Sequence, residues 1–129
     1  MLGLTLASSL VFAGGDAAAG QAKTAMCAGC HGADGNSPAP TFPKLAGQGE
    51  KYLTKQLQNI KSGERPVMEM TGMLNAFSDQ DLADIAAYFA SKTIQMAGAK
   101  EEKLDLGERV YRGGNIETGV PACTGCHSP

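Results

Sequence analysis

Leu82, Ile85, Ala86 and Phe89 recur at i, i+3, i+4 and i+7, the spacing that gathers apolar side chains on one face of a helix. Just ahead of them stands Ser78-Asp79-Gln80-Asp81. A serine followed three residues later by an acidic side chain caps the free N–H groups of a helix start reciprocally, here with Asp in place of the usual Glu or Gln. Glu50 to Ser62 reads as another helix, with Leu53, Leu57 and Ile60 inward and Gly63 as its stop. Nearer the start, Asp16 predicts the cap of a helix running through Met26, with Ala18, Ala22 and Ala25 on one face. Leu104, Gly107, Val110 and Tyr111 repeat the helical spacing late in the chain. No stretch alternates as a strand, so the expected fold class is all-α.

Between the helices the chain changes character. Gly32, Gly35, Asn36, Pro38, Pro40, Pro43, Gly47 and Gly49 crowd the stretch from Gly32 to Gly49, which therefore reads as a functional loop wrapped around something. Arg65 to Phe77 is also irregular and holds Met68, Met70 and Met73. Leu2 to Ala13 is apolar but too short to span a membrane. It ends in Val11-Phe12-Ala13, small or aliphatic at both positions that signal peptidase reads, although no Lys or Arg precedes Lys23. The organisation expected is a signal-peptide remnant at 1–13, a first domain at 14–99, and a connector with the incomplete start of a second domain at 100–129. The connector opens with Lys100-Glu101-Glu102-Lys103, and the chain stops at Ser128-Pro129, two residues after a repeated motif. That ending reads as a duplication whose second copy is cut short.

Composition narrows the function. With 129 residues, 43% of them hydrophobic, and a formal charge of −2, the chain fits one small domain plus a fragment. It has no cluster of Lys and Arg of the kind that displaces counterions from phosphates, which excludes a nucleic-acid partner. Only seven aromatic residues, three Tyr and four Phe, serve the chain. A domain this small needs something else to fill its interior.

All four Cys and both His fall in two copies of one motif, Cys27-Ala28-Gly29-Cys30-His31 and Cys123-Thr124-Gly125-Cys126-His127. In an exported chain this run is a c-type haem attachment signature. Two thiols three residues apart add across the two haem vinyl groups, and the next residue carries its imidazole beneath the iron. Zinc would use the four thiols but leave both histidines unexplained. A thioredoxin-like redox pair expects a βαβ context that is not visible. Two identical short motifs also make a poor disulfide framework. Haem c accounts for every Cys and His. A second axial ligand is then needed, and the soft thioether of Met is the candidate. Met26 is tethered on the proximal side, and Met96 follows the last helix of the first domain. Met68, Met70 and Met73 lie where a loop can cross the distal face. Each could equally fill a gap in the core, and three Met without a His would otherwise suit only Cu(I).

These residues resemble the class I c-type cytochromes, and among them the dihaem cytochrome c4 type. The resemblance rests on Gly20-Gln21-Ala22-Lys23, Cys27 to Pro40, Phe42-Pro43-Lys44-Leu45-Ala46-Gly47-Gln48, Glu69-Met70-Thr71-Gly72-Met73-Leu74, Phe77 to Ser91, and Tyr111-Arg112-Gly113-Gly114. It implies a small helical domain wrapped around covalent haem, with Met70 as distal ligand and the carbonyl of Pro43 accepting the proton of the His31 ring nitrogen that faces away from iron. It also implies a complete second domain with its own Met, so Cys123, Cys126 and His127 form a site that this sequence leaves without a sixth ligand.

The function expected is electron transfer in a respiratory chain, not enzyme catalysis, because His and Met leave no open position on iron. The resemblance implies a periplasmic carrier with redox proteins as donor and acceptor, a terminal oxidase among the acceptors, and scope for peripheral membrane association. A dihaem cytochrome c peroxidase, with one five-coordinate haem, is the alternative of a different class. A haem subunit docked on a membrane dehydrogenase is the third.

Overall fold

The structure, a computed structural model, describes residues 14–127. The expected leader at 1–13 lies outside the described residues. The chain divides into two compact units, one ending at Gln95 and one beginning at Met96.

In the first unit the order is α1 (Ala17–Gln21), α2 (Ala28–His31), α3 (Glu50–Ser62) and α4 (Asp79–Ala90), with one turn of 3-10 helix at Met68–Met70. The expected bounds of α3 hold to the residue, and Gly63 ends it in the left-handed conformation, φ +80°, which glycine adopts without a Cβ penalty. Ser78 and Asp81 form the expected reciprocal cap of α4. Leu82, Ile85, Ala86 and Phe89 are all buried. They define the core face of α4, and Leu53, Ile85, Ala86, Tyr88 and Phe89 form the central cluster.

The start of the chain departs from expectation. Asp16 does cap α1, accepting from the N–H groups of Ala18 and Ala19, but the helix ends at Gln21 rather than Met26. Ala18, Ala22 and Ala25 face solvent, while Gly20 and Thr24 are buried. Close approach explains the difference: a Cβ on Gly20 would lie 2.0 Å from the carbonyl oxygen of Asp84, so α1 meets α4 backbone to backbone. Alanine periodicity could not signal a contact made by a missing side chain. Lys23 then leaves the helix to reach α4, its Nζ lying 2.6 Å from both Asp81 and Asp84.

The second unit holds α5 (Leu104–Gly113) and a 3-10 turn at Cys123–Gly125. The helix forms where expected, but no residue of it is buried. Leu104 and Tyr111 are exposed; among the described residues this unit has no second long helix to cover them. Every regular element is helical among the described residues; the one extended pairing is an isolated bridge from Asn115 to Val120. The fold class is all-α.

Candidate cofactor site

The core of the first unit surrounds a hole. A cavity of ≈ 530 Å³ lies among Leu53, Leu57 and Ile60 of α3, Ile85, Ala86 and Phe89 of α4, and Phe42, Pro43 and Leu45 of the loop. Protein interiors are otherwise close-packed, and this volume falls within the range of about 300–1,000 Å³ typical of cofactor sites. Leu57 and Ile60 are only half-buried. They point inward as expected, but toward the cavity rather than toward other side chains.

The first motif forms one wall. Cys27 caps the single turn of α2, and the His31 N–H donates to the Cys27 carbonyl at 2.9 Å. Cys27, Cys30 and His31 therefore leave one helical turn together. Cys27 and His31 line the large cavity, and with Cys30 they line a smaller adjoining recess. Both cysteines are half-buried and unpaired. Burial pushes the Cys27 thiol above its ordinary pKa.

His31 is 8% exposed. Its Nδ1 lies 2.9 Å from the Pro43 carbonyl oxygen. A carbonyl only accepts, so Nδ1 carries the proton and Nε2 of the neutral ring carries the lone pair. Nε2 has no protein partner among the described residues. The loop bearing Pro43 is pinned by the Leu45 and Ala46 N–H groups, which donate to Gly35 O at 2.8 and 3.1 Å. Ser37 Oγ donates to the Cys30 carbonyl at 3.0 Å, and the Tyr88 hydroxyl donates to the Ala33 carbonyl at 2.9 Å. The glycine-rich and proline-rich composition announced the loop; nothing in the spacing announced Ser37 or Tyr88 as its fasteners.

The three methionines of the irregular segment separate cleanly. Met70 lines both the cavity and the recess, Met73 lines only the recess, and Met68 lines neither and is 88% exposed. An imidazole lone pair, two thiols and a thioether thus border one apolar space. That donor set fits a large, flat, apolar, iron-bearing group held through sulfur and nitrogen.

In the second motif the His127 N–H donates to the Cys123 carbonyl at 2.8 Å, and the Tyr111 hydroxyl donates to the His127 carbonyl at 3.4 Å. Cys123 is half-buried, whereas Cys126 and His127 are exposed.

The family model described as cytochrome c matches residues 17–93. The chain belongs to the cytochrome c family. Cytochrome c-554(548) of Halomonas halodenitrificans is 44% identical over 60% of this chain and 98% of its own length. Cytochrome c4 of Pseudomonas aeruginosa is 64% identical over 99% of this chain. The crystal structure of reduced recombinant cytochrome c4 from Pseudomonas stutzeri superposes with a TM-score of 0.81 at 58% identity, covering 89% of this chain and 65% of that one. Sequence and fold therefore match cytochrome c4, a dihaem class I c-type cytochrome. The chain spans 62% of the length of the Pseudomonas aeruginosa protein. With membership of the cytochrome c family comes haem c as the cofactor.

Proposed function

We propose that the protein is a periplasmic electron carrier of a respiratory chain that holds haem c through thioethers at Cys27 and Cys30, with His31 and Met70 as the axial ligands. The observation that carries this reading is the His31 ring, fixed by Pro43 with its free nitrogen beside a cavity that Met70 shares. Haem c supplies a reversible one-electron iron couple there. The chain's residues do the rest. His31 is held in one tautomer and one orientation by the Pro43 carbonyl, which also raises its basicity. Leu53, Leu57, Ile60, Ile85 and Phe89 exclude water from the same space, and a thioether at Met70 favours the reduced iron.

Cys123, Cys126 and His127 hold a second haem c by the same chemistry, within a connector and domain start at 100–129 that follow a first domain at 14–99. Donor and acceptor are redox proteins, with a terminal oxidase as acceptor. Met70 on the cavity wall favours a filled sixth position, hence a carrier rather than a peroxidase. The test is to reduce the purified protein and mix it with oxidase-containing membranes, and separately with hydrogen peroxide. Rapid reoxidation by the membranes without peroxide turnover is expected; sustained peroxide consumption without oxidation by membranes would overturn the assignment.

A further inference from the structure

The first described residues are held unusually well for the edge of a domain, where chains ordinarily fray. The N–H of Gly15 donates to Glu50 Oε1 of α3 at 2.8 Å, and the N–H of Asp16 donates to Asp84 Oδ1 of α4 at 2.9 Å. Gly15 is pressed so closely on α4 that a Cβ there would lie 1.9 Å from the Ala83 carbonyl oxygen. Two carboxylates from distant helices thus clamp the backbone immediately after Ala13. Glu50 also reaches back over Gly14: its Oε1 lies 3.0 Å, and its Oε2 3.9 Å, from where a Cβ on Gly14 would be. The second oxygen, Oε2, has no protein partner among the described residues. A carboxylate accepts at about four sites, so Glu50, half-buried at the start of α3, keeps acceptor capacity that the Gly15 N–H does not use.

We propose that Glu50 receives the α-ammonium group created at Gly14 when the leader is removed after Ala13, so that processing completes the fold of the first unit. The reading rests on the proposal that the protein is exported. In the step itself an export-pathway peptidase breaks the Ala13–Gly14 peptide bond with one water. Its hydroxyl goes to the Ala13 carbonyl as a new carboxyl group, and its proton goes to the Gly14 nitrogen, which takes up another to become the ammonium. Before processing, Gly14 offers only an uncharged amide; afterwards it offers a cation one residue from the N–H that already holds the Glu50 carboxylate. A charge-assisted pair of this kind is about twice as strong as its neutral counterpart.

The test uses the exported holoprotein. Intact mass gives its first residue, and thermal unfolding compares the native form with one selectively acetylated on the α-amine, each with and without Glu50→Gln. Glutamine keeps an acceptor for the Gly15 N–H and removes only the charge. A start at Gly14 is expected, with either change lowering the melting midpoint by about 4 °C and the second adding little to the first. A mass retaining residues 1–13 contradicts the export reading. A start at Gly14 with unmoved midpoints, or with two losses that simply add, overturns the role of Glu50 and leaves export standing.

Discussion

Met70 is the residue on which the proposed ligation turns. Its replacement by Ala removes the only one of three neighbouring thioethers that borders both the cavity and the recess. We expect the sulfur-to-iron charge-transfer band of the first haem to disappear, its potential to fall, and its ferrous form to bind carbon monoxide. Met68→Ala, at a side chain 88% exposed, should leave all three unchanged. Loss of the band in Met73→Ala but not in Met70→Ala would reassign the ligand. The spacing of Met68, Met70 and Met73 left this choice open, because each lies on a loop whose path no periodicity fixes; only resemblance favoured Met70. The grouping of Cys27, Cys30 and His31 on one turn was legible outright, since the motif is local in the sequence. Ser37 and Tyr88 were not, because each acts through a backbone carbonyl brought near only by the fold.

At the scale of elements, the contact of α1 with α4 fastens the two ends of the first unit. Gly20→Val should separate them, since the added Cβ meets backbone atoms of Asp84 at 2.0 and 2.5 Å that cannot rotate away. A loss of about 1–3 kcal/mol in denaturant unfolding is expected, as for other overpacked contacts. Asp84→Ala should cost a similar amount, about 1–3 kcal/mol, by leaving the Asp16 N–H without its acceptor and Lys23 with one carboxylate fewer. The hydrogen bond from Lys23, followed by that from Asp16, holds the Asp84 carboxyl below the usual carboxylate range. Its contribution is therefore complete above the ordinary carboxylate pKa and is lost as pH falls through the lowered one. Acid titration of Asp84→Asn should show a shallower loss of stability in that window than the parent. Helices α3 and α4 were legible because their apolar stripes and caps are written in side chains. The early end of α1 was not, because Gly20 makes its contact by having no side chain and Lys23 by abandoning the helix.

At the scale of the whole molecule, Leu53, Leu57, Ile60, Ile85 and Phe89 of the first unit line a cavity of ≈ 530 Å³. Its stability therefore depends on what occupies that space. Removing both thiols in Cys27→Ala/Cys30→Ala should abolish cooperative thermal unfolding of this unit by circular dichroism, whereas Cys27→Ala alone should retain one thioether and a weakened transition. Composition hinted at this when seven aromatic residues had to serve 129 positions, but the size and place of the hole needed the packing of α3 against α4. The account stands or falls on covalent haem. The most direct measurement extracts the exported protein with acid-acetone, denatures it, and reads the haem-to-protein ratio from its pyridine haemochrome spectrum. With two Cys-x-x-Cys-His motifs in the chain, the predicted result is two haems per chain retained through extraction and no alkylatable thiol. Protein stripped of haem, with Cys27, Cys30, Cys123 and Cys126 free to react, would contradict it.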